Sequence, residues 1–169
     1  MKRAADGRLL VVCDACVLIN FLLVGKPDLL TANKDYRFII TEHVAAEVTD
    51  LTQAAQLQSC VADGGLETTE VTDLEELTLF AELRRVLGSG EAAAIAVAFH
   101  RDLAIATDDR RSLAEVQRRL GPGRALTTPG ILLGSVRART LTVEEADAMK
   151  GELERQRFKM SFSSFADLA

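Results

Sequence analysis

Hydrophobic residues along the chain form short runs of strand length that alternate with longer segments of helical spacing. Short apolar runs bounded by polar or turn residues are typical of buried strands, and apolar residues three or four positions apart indicate helices. Regular alternation of the two is typical of a parallel sheet with crossover helices. The pattern predicts an α/β fold, with a central parallel sheet of about four to five strands and helices on both faces. The predicted strands are residues 8–13, 37–40, 66–71, 103–107 and 124–127.

Capping residues mark where several of the predicted helices begin. One helix follows Thr41 and runs through residue 58, and another begins near Pro129, which suits the first turn of a helix. Thr142 and Glu145 form a capping box for a helix that runs to about residue 157. Two further helices are predicted at residues 73–87 and 89–101.

Size and composition predict a single domain. A chain of 169 residues that is 48% hydrophobic can build one ordinary core. Residues 1–135 hold the predicted sheet, and residues 136–169 are expected to pack on the same domain as a helix and a tail. Because the tail carries three phenylalanines, it is expected to dock on the body of the protein or on a partner.

The targeting signals of the chain are weak. The basic start at Lys2 and Arg3 precedes an apolar run, but Asp14 and Asn20 interrupt that run. No stretch reaches the ~20 apolar residues that a membrane span needs. Three cysteines are too few for a disulfide framework and favour a reducing compartment. We therefore expect a cytoplasmic protein with no membrane partner.

Charge is distributed unevenly along the chain. The net charge of −5 argues weakly against a nucleic-acid partner. Residues 42–91 hold eleven acids against two arginines, whereas residues 101–139 hold eight arginines against four acids. The arginine-rich segment has two interpretations, a solvated helix surface or a surface that grips phosphate.

Several carboxylates fall where the predicted strands end. Asp14 interrupts the apolar run "LLVVCDACVLINFLL", and Asp108 with Asp109 follows the strand "LAIAT". Glu91 lies in the first turn of a buried helix, and Glu47 lies one turn into another. Ligands of parallel sheets bind at the carboxyl ends of the strands, so these acids are expected to converge there. Clustered carboxylates repel one another unless a cation intervenes, which favours Mg²⁺ or Mn²⁺.

Each acid also has a simpler interpretation. Glu91 suits a helix start because of the helix dipole, and Glu47 suits the exposed face of an amphipathic helix. One of Asp108 and Asp109 is expected to cap the helix that begins near Arg110. A carboxylate inside an apolar run is costly without a partner, so Asp14 is the acid least explained by a structural role.

Residues 9–135 resemble the PIN domains, metal-dependent ribonucleases that include the VapC-like toxins of toxin–antitoxin pairs. The resemblance rests on "VVCDACVLINFLL", "FIITEHVAAEV", "LGSGEAAAIAVAFHRDLAIATDDRR" and "TTPGILL", in this order and spacing. It implies a PIN-like α/β domain and a catalytic site of carboxylates around Mg²⁺ or Mn²⁺. The implied catalytic acids are Asp14, Glu47, Glu91, Asp108 and Asp109.

The resemblance also assigns the individual roles. It implies metal ligation by Asp14, Glu47, Glu91 and one of the pair Asp108 and Asp109. Which member of the Asp108–Asp109 pair is the ligand stays open at this point. Contacts to RNA are expected from Arg110 and Arg111. Residues expected to support the acids are Cys16, Thr107 and Thr128.

The chain departs from the family pattern in two places. Ala15 and Cys16 stand where small hydroxyl or amide residues are usual after the first acid, which predicts the loss of a supporting hydrogen bond. The fourth acid of some relatives is replaced near Thr127 or Thr128, which predicts fewer charges and a single metal ion.

The function implied by the resemblance is metal-dependent hydrolysis of phosphodiester bonds in single-stranded RNA, by the toxin of a toxin–antitoxin pair. Expected partners are RNA, a cognate antitoxin protein and a second copy of the chain in a homodimer. The alternatives are an RNA-processing PIN nuclease that is not a toxin, and a PIN-fold binding subunit without catalysis.

Three other protein classes and a zinc site fit less well. A receiver domain requires a lysine after its last strand, and no lysine of the chain lies there. An aspartyl phosphatase requires Asp-x-Asp, but position 16 is cysteine. Cys13 and Cys16 form a C-x-x-C motif of the kind that thiol oxidoreductases use, but Cys13 is expected to lie inside the first strand and Asp14 occupies the spacer. A zinc site is disfavoured because His43 and His100 lie far apart.

Overall fold

A single parallel sheet organises the protein. The computed structural model describes residues 1–168 and shows five strands in the order β3-β2-β1-β4-β5, each pair parallel. The predicted α/β fold and parallel sheet are confirmed. The strands are β1 Leu9–Cys13, β2 Tyr36–Thr41, β3 Glu67–Thr69, β4 Ala104–Ala106 and β5 Ala125–Leu126.

Helices connect the strands and cover both faces of the sheet. A short 3-10 helix, Phe165–Asp167, ends the described chain. The α-helices are α1 Ala15–Leu23, α2 Asp28–Thr31, α3 Glu42–Glu47, α4 Leu51–Ala62, α5 Leu74–Leu83, α6 Ser89–His100, α7 Arg110–Leu120, α8 Thr128–Arg137 and α9 Val143–Arg155.

The alternating side chains of the central strands divide the core into two layers. In β1, Val11 and Cys13 pack with α1, α8 and α9, whereas Val12 packs with α5, α6 and α7 on the opposite face. The alanine-rich helix α6 is buried along most of its length, from Ala92 to Ala98. Small side chains allow this helix to lie close against the sheet, which places its first turn beside the ends of the strands.

The prediction of one long helix after Thr41 is wrong, because the segment forms two helices. Helix α3 ends at Glu47, and α4 begins only at Leu51. Val48 leaves the helical region with ψ 85°, and the carboxylate of Asp50 accepts hydrogen bonds from the first amides of α4 at 3.0 and 2.9 Å. Asp50 therefore starts a new helix, and Glu47 becomes the last residue of a short one. The sequence pattern also did not identify α1 and α2.

The C-terminal helix and tail pack on the body of the protein. Thr142 and Glu145 form the predicted capping box of α9. Phe165 is fully buried, and its amide donates a 2.8 Å hydrogen bond to Asp147 of α9. The division of the chain at residue 135 stays a prediction. Within residues 1–168, no helix is both long enough and apolar enough to cross a membrane.

Candidate active site

Asp14 follows β1 directly and caps α1. Its side chain is almost fully buried, and Oδ1 accepts a 2.7 Å hydrogen bond from the amide of Ala15. Oδ2 accepts hydrogen bonds from the hydroxyl of Thr107 at 2.8 Å and from the thiol of Cys16 at 3.2 Å. Three neutral donors therefore fix the carboxylate at the carboxyl end of the sheet.

Asp108 occupies the equivalent place after β4. The amide of Thr128 donates to Oδ1 at 2.8 Å, and the hydroxyl of Thr128 donates to Oδ2 at 2.5 Å. Asn20 of α1 adds a third hydrogen bond to Oδ2 at 3.1 Å. Like Asp14, Asp108 is held by neutral donors alone.

Cys16 connects these two acids. Its thiol donates to Asp14 and accepts a 3.2 Å hydrogen bond from the amide of Asp108. Burial, reinforced by the negative charge of Asp14, raises the pKa of Cys16 to about 12, so the thiol keeps its proton and can donate. The expected loss of a hydrogen bond at position 16 is therefore wrong, because the thiol and Thr107 supply that support.

The same cysteines argue against redox chemistry. Cys13 is fully buried, and burial raises the pKa of its thiol well above the ordinary value. A reactive pair requires a thiolate at neutral pH, which neither Cys13 nor Cys16 provides.

Glu47 and Glu91 lie together at the N-terminus of α6. Oε1 of Glu47 accepts a 2.6 Å hydrogen bond from the amide of Gly90, and Oε2 of Glu91 accepts one at 2.8 Å from the amide of Gly88. A Cβ atom built on Gly88 would lie 3.3 Å from Oε2 of Glu91 and 4.0 Å from Oε1 of Glu47. The two carboxylates therefore face a common point.

Asp109 has a different task from Asp108. Its Oδ1 caps α7 by accepting hydrogen bonds from the amides of Arg111 and Ser112 at 2.8 and 2.9 Å. The expectation that one of the two acids caps the helix near Arg110 is thus confirmed for Asp109, whereas Asp108 is bonded to Thr128. Arg110 and Arg111 are exposed in the first turn of α7, next to these acids.

The acids lack basic partners. Among the described residues, no lysine or arginine lies within ion-pair distance of the five predicted acids. Burial raises the pKa of Asp14, Glu91 and Asp108, and the mutual repulsion of the acids raises it further. Glu47 adds to the repulsion at Asp14, so the two ends of the site influence one another.

The chemistry of this donor set fits a hard divalent cation, because such ions prefer carboxylate oxygens and lower the pKa of the acids that bind them. In the arrangement that residues 1–168 adopt, however, no three His, Cys, Asp or Glu side chains are close enough together to hold an ion. The carboxylates accept hydrogen bonds from the protein instead.

Four of the eight arginines between residues 101 and 139 form ion pairs within the protein. Arg101 pairs with the fully buried Glu76 at 2.6 Å. Three more arginines of the segment form ion pairs with Glu115, Glu82 and Asp102; they are Arg118, Arg119 and Arg124. The surface available for phosphate is therefore smaller than the charge pattern suggested, although Arg110 and Arg111 form no such pair within the described chain.

Sequence reasoning missed three side chains that the fold brings to the acids, namely Asn20, His43 and Ser89. Ser89 Oγ and His43 Nδ1 are 3.0 Å apart, beside Glu47 and Glu91. His43 precedes Glu47 by four positions, a spacing that places both on one face of a helix. This spacing is the sequence feature that could have identified His43 as a neighbour of the acids.

Comparison with known proteins agrees with this architecture. A family model described as a PIN domain matches residues 10–163. No curated protein matches the chain at a significant level.

Several solved structures are similar. A PilT N-terminus domain protein from the hyperthermophilic archaeon Sulfolobus solfataricus is 18% identical with a TM-score of 0.50, over 76% of this chain and 94% of that chain. VapBC2 from Rickettsia felis, solved with a DNA fragment from its promoter, is 12% identical with a TM-score of 0.49. The match covers 70% of this chain and 98% of that chain. PAE2754 from Pyrobaculum aerophilum is 19% identical with a TM-score of 0.47. The match covers 79% of this chain and 99% of that chain. At 18% identity, the likeness to the Sulfolobus solfataricus protein concerns the fold alone.

Proposed function

The chain belongs to the PIN-domain family, and from that premise we propose that it is a metal-dependent endoribonuclease that hydrolyses single-stranded RNA. Asp14, Glu47, Glu91 and Asp108 are the proposed metal ligands. Asp109 is assigned to the cap of α7, because its Oδ1 already binds two amides there.

The observation that carries the proposal is the collection of carboxylates without a basic partner. A structural carboxylate that is buried normally pairs with an arginine or lysine, as Glu76 does with Arg101. Asp14 and Asp108 are instead held by hydroxyl, amide and thiol groups, which orient the oxygens but leave their charge uncompensated. Negative charge retained at the end of a sheet favours a cation as the missing partner.

Mg²⁺ or Mn²⁺ would be the ion, and when bound it would activate a water molecule for attack on the phosphodiester and neutralise charge on the leaving oxygen. The protein's part is positioning. Thr107 and Ala15 orient Asp14, while Thr128 and Asn20 orient Asp108. To hold an ion, these carboxylates exchange part of their present hydrogen bonding for coordination.

Binding of RNA is proposed to involve Arg110 and Arg111. Both are exposed in the first turn of α7, directly after Asp108 and Asp109. Guanidinium groups at this place can contact the phosphates that flank the scissile bond. They also supply positive charge to a site whose own residues repel nucleic acid.

At the level of the cell, we propose that the chain is the toxin of a toxin–antitoxin pair, acting in the cytoplasm as a homodimer. An antitoxin protein is then its partner. The test is controlled expression in a bacterial host, where the chain is expected to arrest growth and co-expression of the protein encoded beside it to restore growth. Unimpaired growth under strong expression would favour an RNA-processing nuclease.

A second candidate is a PIN-fold binding subunit without catalysis. Two observations favour it. No three acids of the described chain are grouped to hold an ion, and the carboxylates of Asp14 and Asp108 are already hydrogen-bonded. Such a protein would bind single-stranded RNA with its arginines but would not cleave it.

The proposed activity is tested with labelled oligonucleotides of single-stranded RNA, double-stranded RNA and single-stranded DNA, each incubated with Mg²⁺, Mn²⁺ or EDTA. We expect cleavage of single-stranded RNA that depends on the metal. Asp108→Asn should abolish this cleavage, whereas Asp109→Asn should retain it, because asparagine also caps helices well. Binding without cleavage under every metal condition would support the binding subunit instead.

A further inference from the structure

Helix α3 docks on the start of α6 through two neighbouring contacts. His43 Nδ1 lies 3.0 Å from Ser89 Oγ, and Glu47 Oε1 lies 2.6 Å from the amide nitrogen of Gly90. His43 and Glu47 are four positions apart on α3, and Ser89 and Gly90 are adjacent on α6. The histidine and the glutamate thus hold the same pair of helices at successive points.

The contact at Gly90 requires a glycine. A Cβ atom at this position would lie 2.9 Å from Cδ, Oε1 and Oε2 of Glu47, closer than non-bonded carbon and oxygen atoms approach. Since Gly90 lies inside α6, its role is this close approach and not backbone freedom. Any side chain there would push the carboxylate of Glu47 away from the amide.

The position of Glu47 depends on how α3 is held. Helix α3 has six residues, Glu47 is its last, and the chain leaves the helix at Val48. The ends of short helices fray, and Glu47 is itself exposed, so helix formation alone does not fix its carboxylate. A contact one turn earlier, at His43, restrains the same face.

His43 is held from a second side. Its ring stacks on Phe80 of α5, with centroids 4.7 Å apart and an angle of 27° between the planes. The imidazole therefore lies between α5 and the first turn of α6, and α3 is anchored to both through one side chain. The stacking on Phe80 and the contact of Nδ1 with Ser89 both depend on the orientation of the imidazole ring.

We infer that His43 is a positioning residue that, through Ser89 and together with Gly90, holds Glu47 at the acidic site. The inference rests on the proposed function in one respect: the proposed function makes Glu47 part of a metal-binding site. The positioning itself is a property of the metal-free protein and is tested separately.

The direct test is the amide resonance of Gly90 in an NMR spectrum of the metal-free protein. A short hydrogen bond to a carboxylate shifts an amide proton downfield. His43→Ala and Ser89→Ala should both move this resonance upfield. His43→Asn should restore it, because the side chain of asparagine can place a polar atom near the position of Nδ1. His100→Ala, at the far end of α6, is the matched control and should leave the resonance unchanged.

The consequence for the site is tested by thermal melting in a series of Mn²⁺ concentrations. Loss of a residue that orients a metal ligand typically weakens metal affinity by about 10-fold to 100-fold. We expect His43→Ala to raise the Mn²⁺ concentration needed for half-maximal stabilisation by about 10-fold, and His43→Asn to recover most of that loss.

The two tests separate the two ideas. An unchanged Gly90 resonance in both His43→Ala and Ser89→Ala would overturn the positioning inference, whatever the metal does. If Mn²⁺ stabilises the wild type, an equal Mn²⁺ response of His43→Ala would also overturn it. A wild type that Mn²⁺ does not stabilise would contradict the proposed function, and the Gly90 resonance would still decide the role of His43. Should His43→Ala fail to fold, Ser89→Ala and His43→Asn give the same comparison.

Discussion

Thr128 donates two hydrogen bonds to Asp108, from its amide at 2.8 Å and from its hydroxyl at 2.5 Å. The pair joins the end of β4 to the start of α8, and Thr128 is almost fully buried. A threonine here orients the carboxylate without adding or cancelling charge. The carboxylate of Asp108 is therefore oriented but has no cationic partner among the described residues.

Replacement of Thr128 by valine should destabilise the protein. Valine keeps the shape of the side chain but removes the hydroxyl, and hydrogen bonds to charged groups contribute about 1.5–3 kcal/mol. We expect Thr128→Val to lower the free energy of unfolding by about 2 kcal/mol in urea melts. Thr78→Val, which removes an exposed hydroxyl bonded to a helix carbonyl, is the control and should cost less than about 0.5 kcal/mol. Equal costs would show that Asp108 does not depend on Thr128.

Glu91 should lower the free energy of unfolding of the metal-free protein as pH rises. Burial raises its pKa above the ordinary 4.5, so the folded protein holds a proton that the unfolded chain releases at the same pH. Stability due to this group is therefore present at low pH and lost as pH rises through the folded pKa. Glu91→Gln keeps the capping geometry and removes the charge, and its stability relative to wild type should improve from about pH 4 to about pH 8.

Glu145 provides a matched control for this pH dependence. It occupies the same capping-box position in α9, but its hydrogen bonds with Thr142 lower the pKa of its carboxyl. Its contribution is present above the unfolded pKa and lost as pH falls. Glu145→Gln should thus lose stability relative to wild type as pH rises, opposite to Glu91→Gln. Parallel profiles of the two variants in EDTA would contradict the electrostatic description of the site.

The pair of Arg101 and Glu76 should be a major contributor to stability. Glu76 is fully buried, and both its oxygens accept hydrogen bonds from Arg101. Arg101→Met leaves this buried carboxylate without its cationic partner, which typically costs about 3–5 kcal/mol. Urea melts of Arg101→Met and of the double variant Glu76→Leu with Arg101→Met test this, because the double variant should recover much of the loss. A loss below about 1 kcal/mol in the single variant would contradict it.

Arg110 and Arg111 should contribute to RNA binding through phosphate. Replacing both by alanine should weaken binding of single-stranded RNA and reduce its salt dependence by about 0.7 in the logarithmic slope for each phosphate that the protein no longer binds. Arg155→Ala with Arg157→Ala removes the same charge from exposed positions at the end of α9 and is the control. If both double variants bind RNA equally weakly, the effect is one of net charge, and Arg110 and Arg111 make no specific contact with phosphate.

Much of the fold could be predicted from local pattern. The apolar runs near residues 8–13 and 103–107 became β1 and β4, because buried strands carry a signal that depends on few neighbours. The break between α3 and α4 was not predicted, since it depends on Asp50 acting as a helix cap within a continuous helical pattern. Helix α1 was hidden because its apolar residues continue directly from β1 beyond Asp14.

The site was predictable in its acids but not in their partners. Asp14 stood out because a carboxylate interrupts an apolar run, a property visible in one segment. The distinction between Asp108 and Asp109 depends on Thr128, twenty positions away in sequence, and required the fold. The arginine pattern misled because ion pairs such as that of Arg119 with Glu82 join distant segments.

The most direct test of the metal-dependent nuclease is Asp14→Asn, compared with Asp63→Asn as an exposed control for loss of one charge. Asparagine keeps the helix cap and removes repulsion, so the metal-free variant should be as stable as wild type or more stable by up to about 1 kcal/mol. Melting curves with and without Mn²⁺, beside cleavage of single-stranded RNA, should show that Asp14→Asn loses both the stabilisation by metal and most of the cleavage, while Asp63→Asn keeps both. An Asp14→Asn variant that melts far lower without metal and still cleaves RNA would show that Asp14 is a structural carboxylate, and would contradict the proposed active site.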